Sequence, residues 1–340
     1  MMDQLDILQI GAAIGGWLGA ALTFFSPFEA DSRFHWTGLS AFILLGTGLY
    51  LVQRHRSKAD AGNWVRFLFP PALYSTQSSW VDVKVYFANR LIKPLISMIS
   101  LPVNVVIMTV FASLVMSTRN EADPMGASAG AVIVASILVA ILFDLAYYVT
   151  HRMTHESDVL WPFHKLHHSA EVLTPITAKR NHPVFNILLT LVTAAIAAPI
   201  SGVIYGLFGV VEFTTIFGLT LLIAVMNVTG GALRHSHIWL GFGPVLSRIF
   251  ISPAQHQIHH SMAVRHHDKN YGLTLAIWDW MFGTLYVPAA REDLEFGVAD
   301  RFGRPEPQVH STLKAAYLVP FQECGAALQA RSAAAEETCS

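Results

Sequence analysis

Three histidine clusters carry the chemistry that this sequence could perform. They are His151-Arg-Met-Thr-His155, His164-Lys-Leu-His167-His168 and His256-Gln-Ile-His259-His260. On a helix, residues three or four apart share a face, so each cluster would direct two or three imidazoles one way. Neutral imidazole suits Fe, Zn and Cu. An all-protein zinc site needs only four ligands, so eight clustered histidines oversupply one ion and suit two metals with open positions. His182 and His235 are the next ligand candidates, because each borders an apolar run. His237 and His267 follow as further ligands or supporting donors. Ligating histidines usually donate their other N–H to a carboxylate or carbonyl, which makes Asp144, Asp268 and Asp279 candidates for that orienting role. His35, His55, His266 and His310 read as ordinary surface or interfacial residues.

The elements that position these clusters follow from composition. Of 340 residues, 53% are apolar and only 13% are charged, with a mean hydropathy of +0.45. A soluble domain carries about 25% charged residues. This excludes a disordered chain and a nucleic-acid binder, and it argues against a soluble enzyme. The net charge of −1 gives no pull toward polyanions. Cys324 and Cys339 form neither a disulfide framework nor a CxxC metal clip.

Six apolar runs are visible, at 5–25, 37–53, 95–116, 128–150, 184–209 and 213–233. Roughly 20 apolar residues cross a bilayer. The expectation is an all-α, multi-spanning membrane protein of about six helices with a cytoplasmic, histidine-rich helical cap. The acidic start Met-Met-Asp-Gln-Leu-Asp is unlike a secretory n-region, so the first run reads as a retained helix. Arg33 and Arg119 stand alone in the loops on one side, and the other Lys and Arg residues fall on the opposite side. The positive-inside rule then puts both termini and all three clusters in the cytoplasm. Residues 1–127 read as membrane helices with a basic connection, 128–290 as a catalytic domain and 291–340 as a tail. Residues 238–251 read as an amphipathic surface helix. The basic stretch 54–93 reads as positive charge meeting anionic lipid, with an acidic electron donor as its other candidate partner.

The clusters and their flanks resemble the fatty acid hydroxylase/sterol desaturase superfamily of membrane di-iron oxygenases. The pattern HxxxH, HxxHH and a distant HxxHH is present, and Asp144 precedes it by two helical turns. Arg180-Asn-His182-Pro183, Arg234-His235-Ser236-His237, Asn270-Tyr271-Gly272 and Trp278-Asp279-Trp280-Met281-Phe282-Gly283-Thr284 also resemble family elements, although His237 stands where Asn is common. The resemblance covers about residues 130–290. It implies two iron ions held by the eight cluster histidines with His235 and His182, O2 as co-substrate and a membrane lipid as substrate. No cytochrome b5, flavin or ferredoxin pattern occurs in the chain, so a separate donor of cytochrome b5, ferredoxin or reductase type is implied. The rival readings are a membrane zinc hydrolase and a non-enzymatic metal transporter or haem-binding protein. No HExxH supports the first, since His155-Glu156 is followed by Ser157, Asp158 and Val159.

Overall fold

The computed structural model describes residues 36–57, 62–118, 128–208, 215–216 and 219–339. The run 5–25, Arg33, His35 and Arg119 lie outside them. In chain order the main helices are α1 (Trp36–Ser57), α2 (Gln77–Ser117), α3 (Ala129–Glu156), α4 (Trp161–His168), α5 (Pro183–Phe208), α6 (Leu221–Val228), α7 (Pro253–His259), α8 (Ile277–Phe282) and α9 (Leu313–Cys339). Shorter helical turns and loops join them. Among the described residues the strands are confined to a two-residue antiparallel pair, Thr215–Ile216 with Leu219–Thr220. The protein is therefore all-α.

Among the described residues, α2, α3 and α5 are long and apolar enough to cross a membrane, with 41, 28 and 26 residues. By length and composition this is an integral membrane protein. Side chains such as Met98 and Val106 lie bare on α2, at 72% and 60% exposure, as a lipid-facing surface requires. Helix α1 has 22 residues but ends in Arg54, His55 and Arg56. The run 213–233 does not form one continuous helix. Within it, α6 covers only Leu221–Val228, and Gly230 turns the chain at φ 78°, which suits a residue without Cβ. The stretch 238–251 likewise holds only a short helix, Gly243–Leu246, which begins with Pro244 in its first turn.

Two small-residue contacts set the spacing of the spans. A Cβ on Gly202 would lie 2.3 Å from the Met108 carbonyl oxygen, and one on Gly206 would lie 2.8 Å from that of Ala112. The Gly202-x-x-x-Gly206 stripe thus lets α5 approach the backbone of α2. On the other side of α5, Ile204 packs with Ala135 and Val139 of α3. Helix α4 rests on Val81 and Val85 of α2 and Ala316 of α9, through Leu166.

Candidate metal centre

The clusters sit where α3 ends and on the short helices α4 and α7. Ser252 starts α7 with a capping box: its hydroxyl accepts the Gln255 amide, and the Gln255 side chain accepts the Ser252 amide. Gln257 then donates to the carbonyls of Leu233, Ser236 and Ile238 at 2.9–3.1 Å, which fixes the loop carrying His235. Arg180, fully buried, donates to the Leu166 carbonyl, the Ser78 carbonyl, the Ser169 hydroxyl and the Asp82 carboxylate. It thereby ties α4 to α2.

Nine histidines converge in two groups. His151, His155, His164, His168 and His259 form one; His167, His235, His256 and His260 form the other. Within each group the chosen ring nitrogens all lie within 4.8 Å of one another. The two HxxHH clusters interleave. In α4 the i and i+4 members, His164 and His168, join the first group and His167 the second. At α7, His256 and His260 join the second group and His259 the first.

The residues fit metal ions. Nε2 atoms of His235, His256 and His260 form a triangle with edges of 3.1, 3.1 and 3.2 Å, and His167 Nε2 stands 3.2 Å from that of His235. His151 and His164 present Nε2 atoms 2.9 Å apart. Nitrogens bound about 2.1 Å from a shared ion stand roughly 3.0–3.4 Å apart. A triangle of nitrogens cannot be satisfied by linear hydrogen bonds among its members, whereas a central cation takes all three lone pairs. Nε2 of His155, His168 and His259 is buried with no hydrogen-bond partner. Burial pushes the His164, His168 and His260 imidazoles well below the usual histidine range, and His259 down to about 4. These rings are neutral, as ligands must be.

Backbone carbonyls orient the rings. His151 Nδ1–H donates to the Tyr271 carbonyl at 2.7 Å, and His259 Nδ1–H to that of Lys269 at 2.8 Å. Each bond leaves Nε2 as the free lone pair. The loop that aims these carbonyls holds Asp268 and Asn270 at φ 57° and 59°, a region that Asp and Asn tolerate. Asn270 binds the Gln255 carbonyl and the Tyr286 amide. A Cβ on Gly272 would lie 2.4 Å from the Leu275 carbonyl oxygen, so the turn requires glycine. Sequence reasoning missed Lys269 as an orienting group, because a carbonyl has no side-chain signature.

Asp144 and Asp279 act on this loop instead of directly on ligands, whereas Asp268 stands beside His155 of the first group. Asp144 accepts the amides of Thr274 and Leu275 and the Trp278 indole, and Asp279 accepts the amides of Tyr271 and Gly272 and the Thr284 hydroxyl. Asp268 accepts the Tyr271 hydroxyl and lies 4.0 Å from His155 Nδ1. Three candidate histidines are in neither group. His182 is held by the Val184 amide and the Tyr317 carbonyl, His237 donates to the Phe67 carbonyl, and His267 to that of Met262. The surface reading of His266 and His310 is corrected: both are buried, His266 against Glu292.

A cavity of about 470 Å³ reaches the second group, with His167 and His235 on its wall. A second, more open groove of about 600 Å³ adjoins it through the shared residues Ser97, Tyr147, Leu189, Thr190 and Leu273 and runs past the exposed Phe143 of α3 and Leu222 of α6.

Residues 136–284 match the family model for fatty acid hydroxylase. Ornithine lipid hydroxylase OlsE of Rhizobium tropici is 29% identical over 168 residues, which are 49% of this chain and 46% of the relative. Alkylglycerol monooxygenase of Homo sapiens is 29% identical over 164 residues, 48% of this chain and 33% of the relative. Fatty acid hydroxylase vlmA of a Lecanicillium species is 29% identical over 163 residues, 43% and 40%. The matched stretch thus spans less than half the length of these relatives. No solved structure matches the chain significantly.

Proposed function

Because the chain belongs, through residues 136–284, to the fatty acid hydroxylase/sterol desaturase superfamily, we propose that it is a membrane di-iron oxygenase that hydroxylates or desaturates a lipid. The observation that carries this reading is the pair of adjacent, all-histidine groups. His151, His155, His164, His168 and His259 would hold one iron, and His167, His235, His256 and His260 the other. Bound there, reduced iron supplies O2 activation and oxidation of an unactivated C–H bond, which no side-chain acid or base performs.

The chain's own part is positioning. The Tyr271 and Lys269 carbonyls lock the tautomers of His151 and His259. Burial of the rings keeps water from the pair. The cavity beside His167 and His235 gives a lipid chain access from between the spans. Electrons come from a separate donor of cytochrome b5, ferredoxin or reductase type. The Lys and Arg distribution supports a cytoplasmic position for the histidine cap and both termini. The apolar runs 5–25 and 37–53 are candidate further spans beside α2, α3 and α5. Residues 128–290 are read as the catalytic unit, between the membrane helices of 1–127 and the tail 291–340.

The test compares lipids of cells making the wild type with those of cells making His259→Ala, together with metal analysis of both purified proteins. The expected result is iron in the wild type and one lipid product missing in the variant. A product heavier by about 16 mass units marks hydroxylation, and one lighter by about 2 marks desaturation. Zinc without iron, or identical lipids in every class, overturns the reading.

A further inference from the structure

Two short segments beside the metal centre leave their apolar side chains bare. Val245, Leu246 and Ile249 are exposed along residues 243–249, and Trp280, Met281 and Phe282 at the end of α8. Exposed apolar side chains grouped in this way mark a surface that meets a partner or a membrane. The backbone joins the two segments. The Ala276 amide donates to the Ile249 carbonyl at 2.8 Å, and the Ile251 amide to the Thr274 carbonyl at 2.9 Å. Charge is nearly absent. Arg248 is the one charged residue between Ile238 and Ala254, and Asp279 the one between Leu273 and Leu285, where it is fully buried.

Helix α3 sets the level of this surface. The Trp278 indole N–H donates to Asp144 at 3.0 Å, and Phe282 stacks on Tyr148 with centroids 5.5 Å apart and planes inclined by 20°. About 20 apolar residues cross the hydrocarbon core, and counted from Ala129 at the start of α3 they end near Tyr148. The ion pair Arg152–Glu156, open to water, follows one turn later. Helix α8 thus meets α3 where hydrocarbon gives way to headgroups, a depth that favours tryptophan. Its bare side chains continue the lipid-facing surface of the spans. A protein partner that docks through charge would find one cation and no acid on this face. A leaflet requires no more, and the Arg248 stem lies along apolar surface while its head reaches the phosphates.

We propose that residues 243–249 and α8 form a wedge that enters the leaflet on the histidine side of the membrane, at the boundary between headgroups and acyl chains. Asp279 of α8 accepts the Tyr271 and Gly272 amides, and the Tyr271 carbonyl accepts His151 Nδ1–H. Through these bonds the wedge holds the loop at His151, and the histidine groups with it, next to the leaflet surface.

The test places the environment-sensitive fluorophore NBD on single cysteines in the full chain carrying Cys324→Ser/Cys339→Ser, reconstituted in nanodiscs. Leu246→Cys and Met281→Cys report the two segments. Met98→Cys on α2 is the lipid-facing reference. Phe302→Cys is the water-facing one, since Phe302 is as exposed as Met281 but stands between the guanidinium groups of Arg301 and Arg304. Each position is exposed, so the label displaces no core residue. Phosphatidylcholine brominated near the headgroup end of its acyl chains should quench labels at 246 and 281 at least about twofold more strongly than at 302, and more strongly than lipid brominated at the chain ends does. Quenching at neither segment, at only one, or no stronger than at Phe302→Cys overturns the proposal. Discs holding one chain and discs holding two should give the same result. Quenching that drops in the two-chain discs marks a face between copies and also overturns it.

Discussion

The imidazoles of His168 and His260 stack, with centroids 4.5 Å apart and planes inclined by 24°. They belong to different groups, His168 to the five and His260 to the four. The two candidate ion sites therefore share a wall of ring against ring. His259 also lies against His168, at 4.7 Å between centroids, so neighbours in sequence reach across to opposite groups.

This contact predicts coupled loading. His168→Ala removes a ligand from one group and the stacking support from a ligand of the other. Loss of a supporting partner typically lowers metal affinity about 10–100-fold. Iron content measured on purified His168→Ala should therefore fall below half of the wild-type value, with both ions affected. His182→Ala should retain the wild-type content, because His182 hydrogen-bonds Tyr317 and Val184 outside both groups. Equal losses in the two variants would break the assignment.

The spacing of α2 and α5 makes a second prediction. A methyl group on Gly202 meets the Met108 carbonyl at 2.3 Å and Phe111 Cβ at 2.9 Å, and neither is the end of a flexible chain. Gly202→Ala should lower stability by about 1–3 kcal/mol through overpacking. Gly48→Ala, with no neighbour within 4 Å of its Cβ, is the matched control. Thermal unfolding in detergent should show a lower midpoint for the first variant and little change for the second.

The clusters were legible because a histidine ligand declares itself by type and by a spacing of three or four. Which ion each histidine serves was not legible. It depends on how α4 and α7 are rotated against each other, and the sequence of each helix says nothing of that rotation. Asp144 was expected to orient a ligand, but two backbone amides and the Trp278 indole occupy its oxygens. The orienting groups are carbonyls of Lys269 and Tyr271, which any residue type could supply. Hydropathy located the apolar half of α2 from Leu95 onward. It missed that the helix starts at Gln77, because Asp82 and Arg90 in the first half are polar yet buried. Pairing and cavity lining, neither visible in a window average, keep those residues inside.

A buried histidine outside the site sets a pH dependence. His310 is fully buried, with neither ring nitrogen hydrogen-bonded. Burial, then the charges of Arg180 and Lys165, hold its pKa down to about 3, against an ordinary value of 6.5. Between those values the unfolded chain takes up a proton that the folded chain refuses. Stability from this group is complete above about pH 6.5 and is lost as pH falls toward 3, by at most about 1.4 kcal/mol per pH unit. The melting temperature of metal-free wild type should drop from about pH 7 to about pH 5, and His310→Leu should drop less. Parallel curves would show that His310 is not the source.

The Asp82–Arg180 pair yields the most demanding prediction. Arg180 Nη1 meets Asp82 Oδ1 at 2.9 Å, with both side chains essentially inaccessible, and Thr177 donates to the other carboxylate oxygen at 2.6 Å. Removing one partner of a buried pair typically costs about 3–5 kcal/mol, because the other charge is stranded. Arg180→Met should cost that much and, through the lost bonds to the Leu166 carbonyl and Ser169, should free α4, which carries His164, His167 and His168. Asp82→Asn/Arg180→Met leaves no buried charge, so it should recover part of the stability. It should not recover iron, because the ties from position 180 to α4 are still missing. Unfolding midpoints and iron content measured on both variants distinguish the two effects. Recovery of iron along with stability would show that the pair acts on the fold alone and does not position the second histidine cluster.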